Sequence, residues 1–149
     1  MKRPSLPLLL LLLLLSGTGA CENDSSEPAN LPTMSTRLRI RIGSDTFTAT
    51  LFDNPSSAAF VARLPLTVAM SELNSNEKYY DFATGLPTNA TNPGTIQAGD
   101  LMLYGSETLV LFYKSVATSY RYTRLGRIDN PARLAAALGA GSVTVTFEL

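Results

Sequence analysis

The sequence predicts a mainly β domain: a closed β-barrel capped by two short helices, with a β-sandwich carrying two appended helices as the alternative architecture. Three observations lead there. Short apolar runs with a period of two recur along the chain. Two Asn-Pro pairs each open a short helical stretch directly after a strand. The last residues form one more alternating run, which allows the sheet to close and leave no exposed edge.

The first strands lie at Arg37-Leu38-Arg39-Ile40-Arg41-Ile42 and, after Gly43-Ser44-Asp45, at Thr46-Phe47-Thr48-Ala49-Thr50-Leu51. Two half-apolar runs joined by such a turn make a hairpin with one buried face, and the three arginines take the solvated one. Asn54 is the expected N-cap of a helix running from Ser56 to about Leu64, with Pro55 at the first helical position, where its missing N–H costs nothing. Phe60 and Leu64 share a face at i, i+4, and Pro65 stops the helix. Leu66-Thr67-Val68-Ala69-Met70 is the next strand, and Lys78-Tyr79-Tyr80-Asp81-Phe82 is a weaker one.

Residues 83–99 contain Gly85, Pro87, Asn89, Asn92, Pro93 and Gly94 without a sustained period, a long loop that is either functional or surface decoration. Asp100 after Gly99 is read as a turn residue. Leu101 to Tyr104 and Thr108 to Tyr113 form a hairpin around Gly105-Ser106-Glu107, and both runs are apolar on both faces, as in central strands with little solvent contact. Tyr120 to Ile128 is one extended piece interleaving aromatics and arginines, with Tyr120 and Tyr122 packing from one face. Asn130-Pro131 repeats the Asn54-Pro55 device and opens a second helix over Ala132 to Leu138, closed by Gly139-Ala140-Gly141. The final strand spans residues 142–149 with Val143, Val145 and Phe147 inward.

Ahead of this domain, Lys2 and Arg3 precede an unbroken leucine run from Leu8 to Leu15 and the small residues Ser16-Gly17-Thr18-Gly19-Ala20. That is a signal-peptide pattern, and the run falls short of the roughly 20 apolar residues that span a bilayer. Gly19-Ala20-Cys21 resembles a lipobox, with Thr18 where that pattern usually has leucine. The resemblance implies cleavage before Cys21, lipidation of its thiol, and a domain anchored to a membrane of the bacterial cell envelope, outside the cytoplasm. Residues 21–36 are polar and proline-containing and read as a flexible tether to a domain over residues 37–149. The sequons at Asn23 and Asn89 are discounted, because a lipoprotein signal implies a bacterial host.

Composition narrows the chemistry. Loss of residues 1–20 removes Lys2 and Arg3 and leaves ten basic residues against twelve acidic, a net charge of about −2. Such a balance argues against nucleic acid, which demands a basic surface. With no histidine, a Ser-His-Asp triad and most zinc sites are excluded, and neither a metal nor a cofactor is expected. The chain's single cysteine excludes an internal disulfide.

The order of segments resembles the minimal cyclophilin-like barrel domains of bacteria and archaea, over about Arg37 to Leu149. The pieces that carry the resemblance are Asp53-Asn54-Pro55 before a helix, Ala98-Gly99-Asp100-Leu101 leading to Thr108-Leu109-Val110-Leu111-Phe112-Tyr113, and Arg124-Leu125-Gly126-Arg127-Ile128-Asp129. In cyclophilins the isomerase site is built around an arginine in a Phe-His-Arg run, with a glutamine on the following strand and an apolar floor. The corresponding segment here, Tyr79-Tyr80-Asp81-Phe82, has no arginine, and Asp81 has the wrong sign to polarise a prolyl amide. The resemblance therefore implies a non-catalytic module holding a peptide or small ligand in a groove beside Tyr80, Tyr104, Phe112, Tyr113, Arg121 and Arg124. A plainer reading of these residues is barrel core for the aromatics and solvent for the arginines. The alternative functions are a divergent peptidyl-prolyl isomerase using Arg121 or Arg124, and a structural lipoprotein docking on a partner protein.

Overall fold

The computed structural model describes residues 36–149. The expected signal segment, the Cys21 lipidation site and the tether up to residue 35 lie outside the described residues.

Ten strands and two helices follow in the order β1 (Arg37–Ile42), β2 (Asp45–Leu51), α1 (Pro55–Val61), β3 (Leu66–Leu73), β4 (Glu77–Asp81), β5 (Thr95–Ile96), β6 (Asp100–Tyr104), β7 (Thr108–Phe112), β8 (Val116–Ala117), β9 (Thr123–Ile128), α2 (Leu134–Leu138) and β10 (Val143–Glu148). Eight strands close into an antiparallel barrel in the order β1-β10-β3-β4-β7-β6-β9-β2. Closure disposes of the sandwich alternative and leaves no edge among these eight strands.

The barrel interior follows from the period-two alternation. Leu38, Ile40 and Ile42 of β1 meet Phe47, Ala49 and Leu51 of β2, Val145 and Phe147 of β10, and Val68 and Met70 of β3 in one buried cluster. Val143, expected inward with its two neighbours, is only half-buried. The arginines of β1 stand in solvent, with Arg39 and Arg41 paired to Glu148 and Arg37 to Asp129. Gly43 closes the β1–β2 turn at φ +57°, a backbone setting that glycine adopts at little cost.

Helix α1 is capped as the sequence implies. The Asn54 side chain accepts a hydrogen bond from Ser57 N at 2.8 Å and donates through Nδ2 to Arg124 O at 2.9 Å, joining the helix start to β9. Phe60 is fully buried and meets Phe147 edge-on at 5.7 Å. The α-helix stops at Val61, short of the expected Leu64, because Arg63 N and Leu64 N bond to carbonyls three residues back in tight turns.

The second Asn-Pro pair does not repeat the first. Asn130 Oδ1 accepts from Ala132 N at 3.2 Å in a local turn, and α2 begins only at Leu134, behind Arg133, with no side-chain cap. Its five residues bury Leu134 and Leu138 in the barrel core. The expected helix start at Ala132 is thus corrected by two residues. Asp100 does close a turn, accepting from Gln97 N at 2.8 Å, but it is also buried and paired with Arg127 at 2.6 Å.

Two elements were not foreseen. β5 and β8, each two residues long, pair within stretches whose sequence carries no strand period. With Tyr122 they cover the outer face of β6 and β7, where Ile96, Met102, Val110, Phe112 and Tyr122 form a second buried cluster. This cover is why β6 and β7 are apolar on both faces.

Candidate functional site

Strand parity builds a site on the outer wall of the barrel. In β4, Lys78 and Tyr80 belong to the inner register, and Glu77, Tyr79 and Asp81 to the outer one. Antiparallel pairing sets Glu77 opposite Phe112, Tyr79 opposite Val110, and Asp81 opposite Thr108. On the next strand Tyr104 lies opposite Thr108. These side chains floor a hollow of about 460 Å³, walled by the β3–β4 turn at Leu73 and Asn76 and by Ile96, Val116, Tyr120 and Tyr122. That volume is within the roughly 300–1,000 Å³ of small-ligand pockets.

The aromatic wall is continuous. Tyr104 packs edge-on to Tyr120 at 6.1 Å and tilted to Tyr122 at 5.5 Å, and Tyr122 meets Phe112 edge-on at 5.6 Å. Phe112 and Tyr122 are buried, whereas Tyr104 and Tyr120 are 47% and 63% exposed. Five large apolar side chains are exposed among the described residues, and three of them, Leu73, Tyr104 and Tyr120, border this hollow.

Its polar groups are acidic or neutral. The Thr108 hydroxyl donates to Asp81 Oδ1 at 2.6 Å. Glu77 is only 8% exposed, and burial, followed by repulsion from Glu72, pushes its carboxyl above the ordinary range. No donor or cation among the described residues offsets that cost. Asn76 lines the same hollow and has its Oδ1 buried without a partner. Burial, with the nearby charge of Glu77 second, pushes the Tyr122 phenol up to about 12, so it remains a neutral O–H group at physiological pH.

The six residues expected to share a groove are divided. Tyr104 and Phe112 line the hollow. Tyr80 turns toward the barrel core and packs edge-on to Phe82 at 5.4 Å. Tyr113 packs against the same core, its hydroxyl donating to Glu72 Oε1 at 2.6 Å. Arg121 donates to Ala90 O at 2.6 Å on the exposed surface, and Arg124 lines a separate hollow with Pro87 and Asn89. Glu77, Tyr79 and Asn76 were missed, and Tyr120 and Tyr122 had been assigned to packing alone. Strand parity held the missing signal: once Phe112 is placed outward, its partner on β4 is Glu77.

A family model described as the cyclophilin-like family matches residues 40–148, nearly the whole barrel. The chain belongs to the cyclophilin-like family. This cyclophilin-like domain is similar in fold to a hypothetical protein from Archaeoglobus fulgidus, whose solution structure gives a TM-score of 0.55 at 19% identity, covering 76% of this chain and 94% of that one. A comparison with curated proteins gives no match. In this cyclophilin-like domain, β4 brings tyrosine and two carboxylates to the outer wall, and no arginine or lysine lines the hollow.

Proposed function

We propose that this cyclophilin-like domain is a non-catalytic binding module of the cell envelope, anchored to a membrane through a lipid on Cys21, and that its outer hollow takes a peptide or small ligand. The observation that carries this reading is the hollow itself: an aromatic-walled concavity rimmed by exposed Tyr104, Tyr120 and Leu73. Exposed apolar side chains gathered around one concavity mark an interaction site more than scattered ones do.

The lining speaks against amide isomerisation. Rotation about a peptide bond crosses a barrier of ~18–20 kcal/mol, and lowering it needs a donor aimed at the amide as conjugation is lost. Arg121 is engaged with Ala90 O, and Arg124 faces another hollow.

The test is a titration of the full chain in detergent with short peptides, some containing proline and some lysine, followed by NMR. Resonances of Tyr104, Phe112, Tyr120 and Tyr122 are expected to move together. Shifts confined to other surfaces would overturn the reading. A protease-coupled isomerisation assay on the same sample should give the uncatalysed rate; catalysis abolished by Arg121→Ala or Arg124→Ala would instead establish the isomerase.

A further inference from the structure

Glu77 is unlike the other carboxylates of the domain. Asp45, Asp100, Asp129, Glu72 and Glu148 each have a cationic partner within 3.1 Å, Asp81 accepts from Thr108, and Asp53 and Glu107 are exposed to solvent. Glu77 is more than nine-tenths buried as a residue, its carboxylate opens onto the hollow, and no salt bridge or hydrogen bond from a described residue reaches it. An ionised group in a largely buried setting is destabilised unless something pairs with it. Beside it, Asn76 Oδ1 is a buried acceptor without a donor. The walls are the rings of Tyr79, Tyr104, Tyr120, Tyr122 and Phe112, and Asp81 adds a second carboxylate at the hollow.

Each of these features asks for the same complement. A carboxylate and an amide oxygen want N–H donors, aromatic faces attract a cation, and an apolar hollow takes a hydrocarbon stem. We propose that the hollow recognises an organic ammonium group on an aliphatic stem, with Glu77 as its counter-ion and the tyrosine wall around the stem. The inference deepens the binding-module reading and rests on it. The site is also opposite in sign to an arginine-centred prolyl pocket, so its ligand is selected by a positive charge and not by proline. A lysine side chain and a free alkylamine present the same chemistry.

The experiment uses the full chain in detergent and four probes: capped tetrapeptides identical except for lysine, norleucine or Nε-acetyl-lysine at one position, and n-hexylamine alone. Affinity is measured by tyrosine fluorescence and NMR shifts in the wild type, Glu77→Gln and Tyr120→Ala. Lysine is expected to bind at least about tenfold more tightly than norleucine or acetyl-lysine, the size of one charge-assisted hydrogen bond. Glu77→Gln should erase that preference, and Tyr120→Ala should weaken all probes. Hexylamine matching the lysine peptide would support a free amine as the ligand; hexylamine much weaker would support a peptide side chain. Equal binding of lysine and norleucine, with shifts still centred on the hollow, overturns the ammonium inference and leaves the binding module standing. Absence of shifts in the hollow with every probe overturns both. Urea unfolding of each variant separates lost binding from lost folding.

Discussion

Lys78 Nζ lies 2.6 Å from Glu72 Oε2, and the lysine side chain is fully buried. Its ammonium also donates to Gly139 O at 2.8 Å and Gly141 O at 2.6 Å, so one buried cation is held by a carboxylate and two backbone carbonyls. Glu72 in turn accepts from the Tyr113 hydroxyl through its other oxygen. One cation thereby joins β3, β4 and the turn between α2 and β10.

Lys78→Met should be among the most destabilising single changes on the barrel wall. It strands two carbonyls and a carboxylate, and breaking one side of a buried pair costs about 3–5 kcal/mol. Glu72 is 26% exposed and keeps Tyr113, which places the loss near the lower end of that range. Urea unfolding with an unchanged slope measures it; a loss below about 1 kcal/mol would mean that the network does not hold the turn.

Glu72 and Glu77 should give stability opposite pH dependences. Burial opposes the charge on Glu72, yet hydrogen bonds from Lys78 and Tyr113 and the lysine's charge outweigh it and hold the carboxyl below its ordinary 4.5. The folded state then binds that proton less tightly than the unfolded chain. The stabilisation is present above about pH 4.5 and is lost as pH falls through the folded pKa. For Glu77, burial first and the charge of Glu72 second raise the carboxyl above 4.5, so the cost of ionising it is absent in acid and complete once pH exceeds the folded value. The other ionisable groups around Glu77 are Asp81, Tyr79, Tyr104, Tyr120 and Tyr122, with Tyr113 and Lys78 engaged on Glu72. Glu77→Gln should therefore raise the urea midpoint at pH 7, with the gain fading as pH falls through the folded value and gone below about pH 4.5. Glu72→Gln should lower it at pH 7, with the deficit closing in acid. A midpoint at pH 7 that Glu77→Gln leaves unchanged or lowers would contradict an unpaired buried charge. A stabilising change that also erases the preference for a cation is the trade-off expected where a site keeps an unfavourable group for its ligand.

Gly126 and Gly43 should respond differently to alanine. A Cβ on Gly126 would stand 2.6 Å from Thr50 O and 2.8 Å from Leu51 Cδ2, and the backbone oxygen is held in the β2–β9 ladder. Overpacking against a fixed strand costs about 1–3 kcal/mol, and Gly126→Ala belongs at the top of that range. Gly43 has open space around its Cβ position, and the cost of Gly43→Ala is the left-handed backbone alone, about 1–2 kcal/mol. Thermal and urea unfolding of the two variants should rank them in that order. The reverse order would mean that β2 and β9 separate easily.

The barrel was legible where alternation is long and one face is apolar: β1, β2 and β10, with Asn54-Pro55 setting the first helix. The β5–β8 ribbon was not, since two residues carry no period. Half of the hollow could be read because Leu101 to Phe112 is apolar on both faces and so demands a cover. Tyr80 and Tyr113 were grouped with it by aromatic content, and strand parity sends them inward instead. Glu77 was missed by starting the strand one residue late, at Lys78. The Lys78–Glu72 pair was invisible for a different reason. A charged residue in isolation reads as surface, and only the closure of the barrel brings Gly139 and Gly141 to the ammonium.

Cys21 carries the proposal about location. As the chain's single cysteine, following Gly19-Ala20, it is expected to act as an anchor and not as a nucleophile. One acyl chain binds a membrane only marginally, with a constant of about 10⁴ M⁻¹, whereas two or more hold stably. The wild-type protein should therefore sediment with membranes and carry the mass of several acyl chains. Cys21→Ser should release it to the soluble fraction with an unchanged urea midpoint, because the barrel begins at Arg37. Membrane association persisting in the serine variant, or a soluble wild type without added mass, would defeat the anchor; a lowered midpoint would show instead that the leader contributes to the fold.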